Sequence, residues 1–294
     1  MLRHLMQRNH YDLVIAHTSL ASFFTRLAEK GISDRPPTIN VMHGYLFGPN
    51  TGKIKSAFLK GAEHLVSSET DLILTMNEWD RGWTQRHLPK VSQAFIPGMG
   101  VSDRCMKKGG NTFAELQEED YVLVYAAEFS PRKNQKLLIQ ALSSLPFNVK
   151  LLLPGEGALL KECKQLAKEL GVEKRVLFPG QIDTIGDALA VADVAVSSSR
   201  SEGLPFNLLE AMRWGLPIVA SDVKGNSDLV QDGVNGYLFR DNDEATLLEA
   251  ILRLMSNKEK ARMMGEKSRV LSEQYYIEIV KPLVMKEYLS LNRS

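Results

Sequence analysis

Between Tyr121 and Phe239 the chain repeats one pattern: a short β-branched or apolar run, a polar or glycine-bearing turn, then apolar residues at helical spacing. The runs "YVLVYAAEF", "VKLLLPG", "RVLFPG", "DVAVSSS", "PIVAS" and "GYLF" are apolar almost throughout, without the alternation of a half-exposed strand. Such runs belong to strands buried on both faces. "KNQKLLIQALSSL", "ALLKECKQLAKELG", "TIGDALAVA", "FNLLEAMRWG" and a short helix after "GNSD" lie between them. Strands alternating with helices predict a parallel sheet covered by helices on both faces, with right-handed crossovers.

The first hundred residues repeat the theme in shorter form. "YDLVIAH", "TINVMHG", "DLILTM" and "AFIPG" are candidate strands, and "LASFFTRLAEKG" and "KSAFLKGAEHLVSS" the helices between them. The Gly- and Pro-rich "IPGMGVSDRCMKKGGN" marks a boundary. The expected domains are 1–100, 101–272 and a C-terminal helix over 273–294 in which Pro282 should kink or break the helix. The expected fold is therefore α/β, with two doubly wound Rossmann-like domains facing a cleft. Ligands of such sheets sit outside the carboxyl ends of the strands, and a cleft between two domains is the default site.

Composition narrows the function. A hydrophobic share of 44%, a charged share of 24% and a net charge of +1 describe an ordinary globular protein and argue against a nucleic-acid binder. The two cysteines, Cys105 and Cys163, suit neither a disulfide framework nor a metal site, and the first residues lack a signal-peptide pattern. The expected setting is the cytoplasm. Residues 1–60 carry eight basic side chains against three acidic ones. That excess is either a solvated surface or a face drawn weakly, and in a salt-sensitive way, to anionic membrane lipid.

The stretch "SRSEGLPFNLLEAM" holds the main constellation. Proline suits the first position of a helix, so one should start at Pro205 or Phe206. Its first amides lack intrahelical partners and form an anion site suited to a diphosphate. Gly203 lets backbone approach a ligand closely. Glu202, in the loop, and Glu210, inside the helix, would repel phosphate. They are either acceptors for sugar hydroxyls at the two ends of one ligand or plain surface carboxylates. Arg132 and Lys133 follow another strand, where cations can meet a phosphate or remain solvated.

Gly155 and Gly157 lack the third glycine of a dinucleotide fingerprint, which disfavours a nicotinamide enzyme. "FPGQID" could frame a base, and Gly225 and Asn226 either approach a ligand or form a plain turn. His43, and at lower rank His17, stand at strand ends, where a histidine can bind a sugar, move a proton or serve structure alone. Asp241 and Asp243 look like a metal pair, but Asp243 stands where a helix N-cap belongs. No required metal and no other cofactor is expected.

These segments, "SEGLPFNLLEAM…GLPIVASDVKGNSDLVQDGVNGYLF" with "PRKNQKLLIQAL", "PGEGALLKE" and "ADVAVSSSRSEG" in order, resemble the nucleotide-sugar site of retaining glycosyltransferases of family 4, with the GT-B fold. "YDLVIAHTS", "INVMHGYLFG" and "DLILTMNEWD" resemble the acceptor domain of the bacterial exopolysaccharide and capsule branch. The resemblance implies transfer of a sugar, with retention, from a nucleotide sugar such as a UDP-sugar to a lipid-linked or saccharide acceptor. Glu202 would contact the donor hexose and Glu210 the ribose. Arg132 and Lys133 would neutralise the diphosphate, and backbone amides near Leu204 to Asn207 would cradle it. His43 would lie by the transferred sugar. Ala127-Glu128 stands where the family carries Gly-Arg, so Arg132 is the candidate replacement. Family members also carry strand-helix units before "YDLVIAH", about 70 to 80 residues for a full doubly wound domain. The N-terminal domain is accordingly expected to be incomplete. Other readings are a nucleotide-sugar-binding protein with impaired catalysis and an epimerase of the same architecture.

Overall fold

The computed structural model describes residues 1–110 and 113–291. The chain divides into two units: Met1–Gly100 with the segment from Tyr275 onward, and Val101–Gln274.

The first unit runs α1 (Leu2–Arg8), β1 (Val14–His17), α2 (Ser19–Glu29), β2 (Thr38–Met42), α3 (Lys53–Val66), β3 (Leu72–Thr75), α4 (Glu78–His87) and β4 (Ser92–Phe95). Its four strands are parallel in the order β1-β2-β3-β4, with His17 in register with Val41. Every residue of β2 and β3 is buried, as in parallel strands covered on both faces. An aromatic cluster of Tyr45, Phe47 and Trp83 packs beside them.

Helix α4 does not announce itself by apolar periodicity. It is set by its cap: Asn77 accepts the Asp80 amide at 2.8 Å. The buried Asp80 carboxylate in turn accepts the Tyr45 amide at 3.0 Å and the Asn77 side-chain amide at 2.8 Å.

The second unit runs β5 (Tyr121–Val124), α5 (Gln135–Leu142), β6 (Val149–Leu152), α6 (Leu160–Glu169), β7 (Val176–Leu177), α7 (Ile185–Ala190), β8 (Val194–Ser197), α8 (Phe206–Arg213), β9 (Ile218–Ser221), α9 (Asn226–Leu229), β10 (Gly236–Phe239), α10 (Glu244–Met255) and α11 (Lys258–Ser272). Six parallel strands lie in the order β10-β9-β8-β5-β6-β7. The chain winds outward from β5 through β6 to β7, then returns to the other side of β5 with β8. The reversal puts a topological switch point at the carboxyl ends of β5 and β8.

Beyond Val124 the chain stays extended without remaining a strand. The Ala127 and Phe129 amides donate to Pro154 and Glu156 carbonyls at 3.0 and 2.8 Å. Gly155 and Gly157 lie in that crossing. A Cβ on either would come within 2.2 Å of the Ala127 carbonyl oxygen or 2.5 Å of that of Phe129. These glycines therefore serve close backbone packing.

Of the two expected outcomes at Pro282, a kink or a break, the break does not occur: helix α12 (Ile277–Leu289), in the first unit, continues through it. Proline frees the Glu278 carbonyl and crowds it. Both residues are exposed, so water can satisfy that carbonyl, while Val280 and Val284 anchor the helix from its buried side. The C-terminal helical region breaks earlier, in the short turn Glu273–Tyr275. Asp243 caps α10, accepting the Thr246 amide at 3.1 Å.

Candidate functional site

The loops leaving β5 and β8 meet at the switch point. Ser198 donates to the Lys133 and Asn134 carbonyls at 3.0 and 2.9 Å, and the Arg200 amide donates to the Arg132 carbonyl at 2.9 Å. This lacing brings together charges 69 and 70 positions apart in sequence. Lys133 Nζ lies 2.6 Å from Glu202 Oε1, and Arg132 Nη1 lies 2.7 Å from Oε2. Ser199 donates to Oε1 at 2.5 Å and is itself held by the Tyr125 hydroxyl at 2.6 Å. Burial raises the Tyr125 phenol, with the Glu202 charge adding to the effect, so Tyr125 stays neutral.

Glu202 is 7% exposed and Lys133 12%, while Arg132 keeps about half its side chain in solvent at 49%. A carboxylate so withdrawn needs its charge-assisted partners. The pair of cations leaves one net positive charge, part of it presented to solvent through Arg132. Glu128, where the family pattern has arginine, points its side chain to solvent and uses its carbonyl to accept from Gln135 at 2.8 Å.

Helix α8 starts at Phe206 with Pro205 as N-cap and no side-chain cap. The first intrahelical donor is Leu209, which reaches the Pro205 carbonyl at 3.2 Å. The amides of Phe206, Asn207 and Leu208 are thus left for water or an anion, and the helix dipole favours the anion. Gly203, Leu204 and Pro205 form the short link between Glu202 and that helix end; Leu204 and Pro205 are buried, while Phe206 is exposed and Asn207 half-buried.

Glu210, one turn in, is half-buried and has no hydrogen bond or ion pair to its carboxylate among the described residues. Burial alone pushes it up to about 7. Cys105 lies close enough to feel its charge: burial, with Glu210 second, pushes that thiol to about 11. A withdrawn carboxylate without a donor is suited to accept hydrogen bonds from a ligand.

Gly225 belongs to the same wall, which sequence reasoning left undecided between ligand contact and turn. Its φ is +85°, and a Cβ there would come within 2.7 Å of Glu202 Cβ. Asn226, fully buried, donates to the Ser221 carbonyl at 3.1 Å.

In the first unit His17 and His43 end adjacent strands. His17 Nδ1 and His43 Nε2 are 2.9 Å apart, and the Tyr288 hydroxyl is 3.5 Å from His17 Nε2. Burial lowers both imidazoles, and for His43 the charge of His17 adds to it. Sequence reasoning ranked the two histidines separately and did not find Tyr288, which comes from the far end of the chain. Among the described residues no group of three or more potential ligands could hold a metal ion, and no helix is long and apolar enough to cross a membrane.

Comparison with known proteins gives the chain's family and fold. The family described as "Glycosyl transferases group 1" matches residues 111–270. EpsD of Bacillus subtilis (strain 168) is 31% identical, over 91% of this chain and 74% of its own. The Escherichia coli UDP-Gal:alpha-D-GlcNAc-diphosphoundecaprenol alpha-1,3-galactosyltransferase is 25% identical, over 86% and 69%. The crystal structure of Anabaena Alr3699/HepE in complex with UDP superposes with a TM-score of 0.83 at 22% identity, covering 98% of this chain and 82% of that one. The two Rossmann-like α/β units are those of the GT-B fold. With the family match spanning more than half its length and a relative such as EpsD matching nearly all of it, the chain belongs to the group 1 glycosyltransferases.

Proposed function

We propose that the protein is a retaining transferase that moves a hexose from a UDP-linked donor to a lipid-linked or saccharide acceptor in surface polysaccharide assembly on the cytoplasmic side of the membrane. The observation that carries the reading is the convergence of Lys133 and Arg132 on the buried Glu202, next to the uncapped start of α8. An anion seated on the amides around Leu204 to Asn207 would have two cations within reach. The family membership supports a sugar transfer. The UDP bound by HepE and the lipid diphosphate in the E. coli relative's name support the donor and acceptor classes.

In this reading Arg132 and Lys133 turn partly from Glu202 to the diphosphate and balance its charge without a divalent cation. Glu202 accepts from the donor hexose, Glu210 accepts from the ribose hydroxyls, and His43 hydrogen-bonds the transferred sugar. The anomeric carbon–phosphate oxygen bond breaks and a bond to the acceptor oxygen forms on the same face. The acceptor proton passes to the departing diphosphate, so no second carboxylate need serve as base, unlike in a glycosidase.

The test is UDP-sugar turnover by the wild type, Glu202→Gln and Lys133→Ala, with and without EDTA. Loss of about a hundredfold in both variants is expected from removing charge stabilisation at the reacting centre, with no effect of EDTA. Undiminished turnover in both variants would exclude the assignment.

A further inference from the structure

Strand β8 runs into three consecutive serines, Ser197, Ser198 and Ser199, each fully buried at 0% exposure. Hydroxyls inside a core cost free energy unless they find partners. Ser198 laces the β8 loop to the β5 loop through the Lys133 and Asn134 carbonyls. Ser199 does something else. It stands between Tyr125, just past the end of β5, and Glu202, at 2.6 Å from the phenol oxygen and 2.5 Å from Oε1. Its carbonyl accepts from the hydroxyl of Ser221 at the end of β9, and that hydroxyl accepts from the Asn226 side-chain amide at 3.0 Å. Ser199 is thus held from three neighbouring strands of the sheet.

The protons along these contacts run one way. The Glu202 carboxylate, flanked by Lys133 and Arg132, only accepts, so the single Ser199 proton points to Oε1. Ser199 then accepts from Tyr125, whose phenol burial keeps protonated. The other acceptor near that phenol, the Lys133 carbonyl, is farther away at 3.3 Å. The two oxygens of Glu202 are left unlike one another. Oε1 accepts from Ser199 and, at 2.6 Å, from Lys133, and two donors fill its two lone pairs. Among the described residues Oε2 accepts from Arg132 alone, at 2.7 Å, and that side chain is half exposed.

We propose that Ser199 and Tyr125 are positioning residues for Glu202: a one-way chain of hydroxyl donors that occupies Oε1 and leaves Oε2 as the oxygen that accepts from the sugar hydroxyl. This rests on the nucleotide-sugar reading and deepens it. Ser199 acts through the carboxylate, and Tyr125 acts through Ser199. The terminal torsion of a glutamate is broad, so two flexible cations leave the carboxylate plane loosely set. A neutral donor anchored in the sheet fixes that plane. In the same reading the two cations serve the diphosphate as well, whereas Ser199 serves Glu202 alone. Support of this kind bears on the rate more than on nucleotide affinity, because it holds a group to the geometry the reaction needs.

The experiment compares the wild type with Ser199→Ala, Tyr125→Phe and the double variant. Calorimetry gives UDP affinity, and UDP release from UDP-glucose, UDP-galactose and UDP-N-acetylglucosamine gives kcat and KM. Carbon-13 labelling of the glutamates gives the Glu202 carboxyl resonance, assigned by its loss in Glu202→Gln. Ser199→Ala should lower kcat about tenfold, the scale of one hydrogen bond to a charged group, with UDP affinity unchanged. Tyr125→Phe should lower kcat less, because Ser199 still donates. The double variant should match Ser199→Ala, since Tyr125 has no route to Glu202 except Ser199. The carboxyl resonance should move in all three variants. Unchanged kcat in Ser199→Ala overturns the inference. So does a UDP affinity that falls by the same factor as kcat, which is the result of loosening the whole site. A double variant whose loss is the product of the single losses removes Tyr125 from the chain, and a carboxyl resonance unmoved in Ser199→Ala removes the contact itself. A wild type that neither binds UDP nor turns over a UDP-sugar would sink the nucleotide-sugar reading, and the resonance shifts would then decide whether the hydroxyl chain stands without it.

Discussion

Lys133 Nζ and Glu202 Oε1 are 2.6 Å apart at the switch point of the second sheet, and both side chains are nearly withdrawn from solvent. The contact closes the β5 loop onto the β8 loop. It holds the carboxylate in place. Lys133→Ala should lower UDP affinity by at least tenfold and destabilise the second unit by about 1–3 kcal/mol, the range for losing a charged hydrogen-bond partner of a buried group. Arg132→Ala removes a half-exposed cation, so its stability cost should be smaller and its loss of UDP affinity comparable. Calorimetry with UDP and urea unfolding check both. Equal stability costs would show that the two cations do not differ as their burial indicates.

Glu210 predicts a pH dependence. Its carboxyl is raised from 4.5 to about 7 by burial, so the folded chain keeps the proton where the unfolded chain has released it. Between those values the native state binds more protons, and stability falls as pH rises. The group's contribution is intact below pH 4.5 and lost by about pH 7, a change on the order of 3 kcal/mol at most. Urea unfolding of the wild type and Glu210→Gln at pH 5 and pH 8 should show the variant gaining on the wild type at the higher pH. If Glu210 accepts ribose hydroxyls as the carboxylate, UDP affinity should rise over the same window in the wild type and stay flat in the variant. A constant difference in stability across pH would remove the raised carboxyl from the account.

What the sequence revealed and what it hid divide along the range of the interactions. The strands were visible because a parallel strand buried on both faces is apolar at most positions, as in "INVM" and "VAVS". The start of α8 was visible because Pro205 and the polar loop before it are local signals. Helix α4 was not, since "EWDRGWTQRH" has little apolar periodicity and its signal is the Asn77 cap with Asp80 three residues on. The continuity of α12 past Pro282 depends on tertiary anchoring through Val280 and Val284. Most of the site's chemistry was hidden in a different sense. Glu202, Arg132 and Lys133 were each identifiable, but no local pattern says that the cations clamp the carboxylate.

His17 and His43 share one short contact, 2.9 Å between ring nitrogens, so one ring donates and the other accepts. Both are lowered from 6.5, chiefly by burial, which favours the neutral forms. The native pair therefore takes up protons less readily than the unfolded chain, and stability contributed by the pair is present above pH 6.5 and lost as pH falls below it. A carbon-13 or nitrogen-15 titration should show both imidazoles neutral at pH 7, and His17→Phe should raise the midpoint of His43 by removing the neighbouring charge. Under the proposed function, His43→Ala should lower kcat by about ten- to a hundredfold with UDP affinity retained. An unperturbed midpoint for His43 in the wild type would contradict the pairing.

Gly225 gives the most local prediction. Its φ of +85° is costly for any side chain, and the space a Cβ needs is already filled by Glu202 Cβ at 2.7 Å, the Glu202 carbonyl carbon at 2.9 Å and the Gly203 carbonyl oxygen at 2.9 Å. None of these is the flexible end of a side chain, so Gly225→Ala must move either the 202–203 backbone or the start of α9. The α9 start is tied by the Gly225 amide to Asp228 at 3.0 Å, and Asn226 is tied to Ser221. The 202–203 backbone is held by the Glu202 amide on the Lys224 carbonyl at 3.2 Å and by the two cations on the Glu202 carboxylate. With both sides anchored, the substitution should cost about 1–3 kcal/mol for the disfavoured backbone conformation, and more for the overlap. Because the displaced group is Glu202, turnover should fall further than stability does. Crystallography or chemical-shift mapping of Gly225→Ala should place the largest changes at residues 202–203, and wild-type turnover in that variant would show that this wall does not set the position of Glu202.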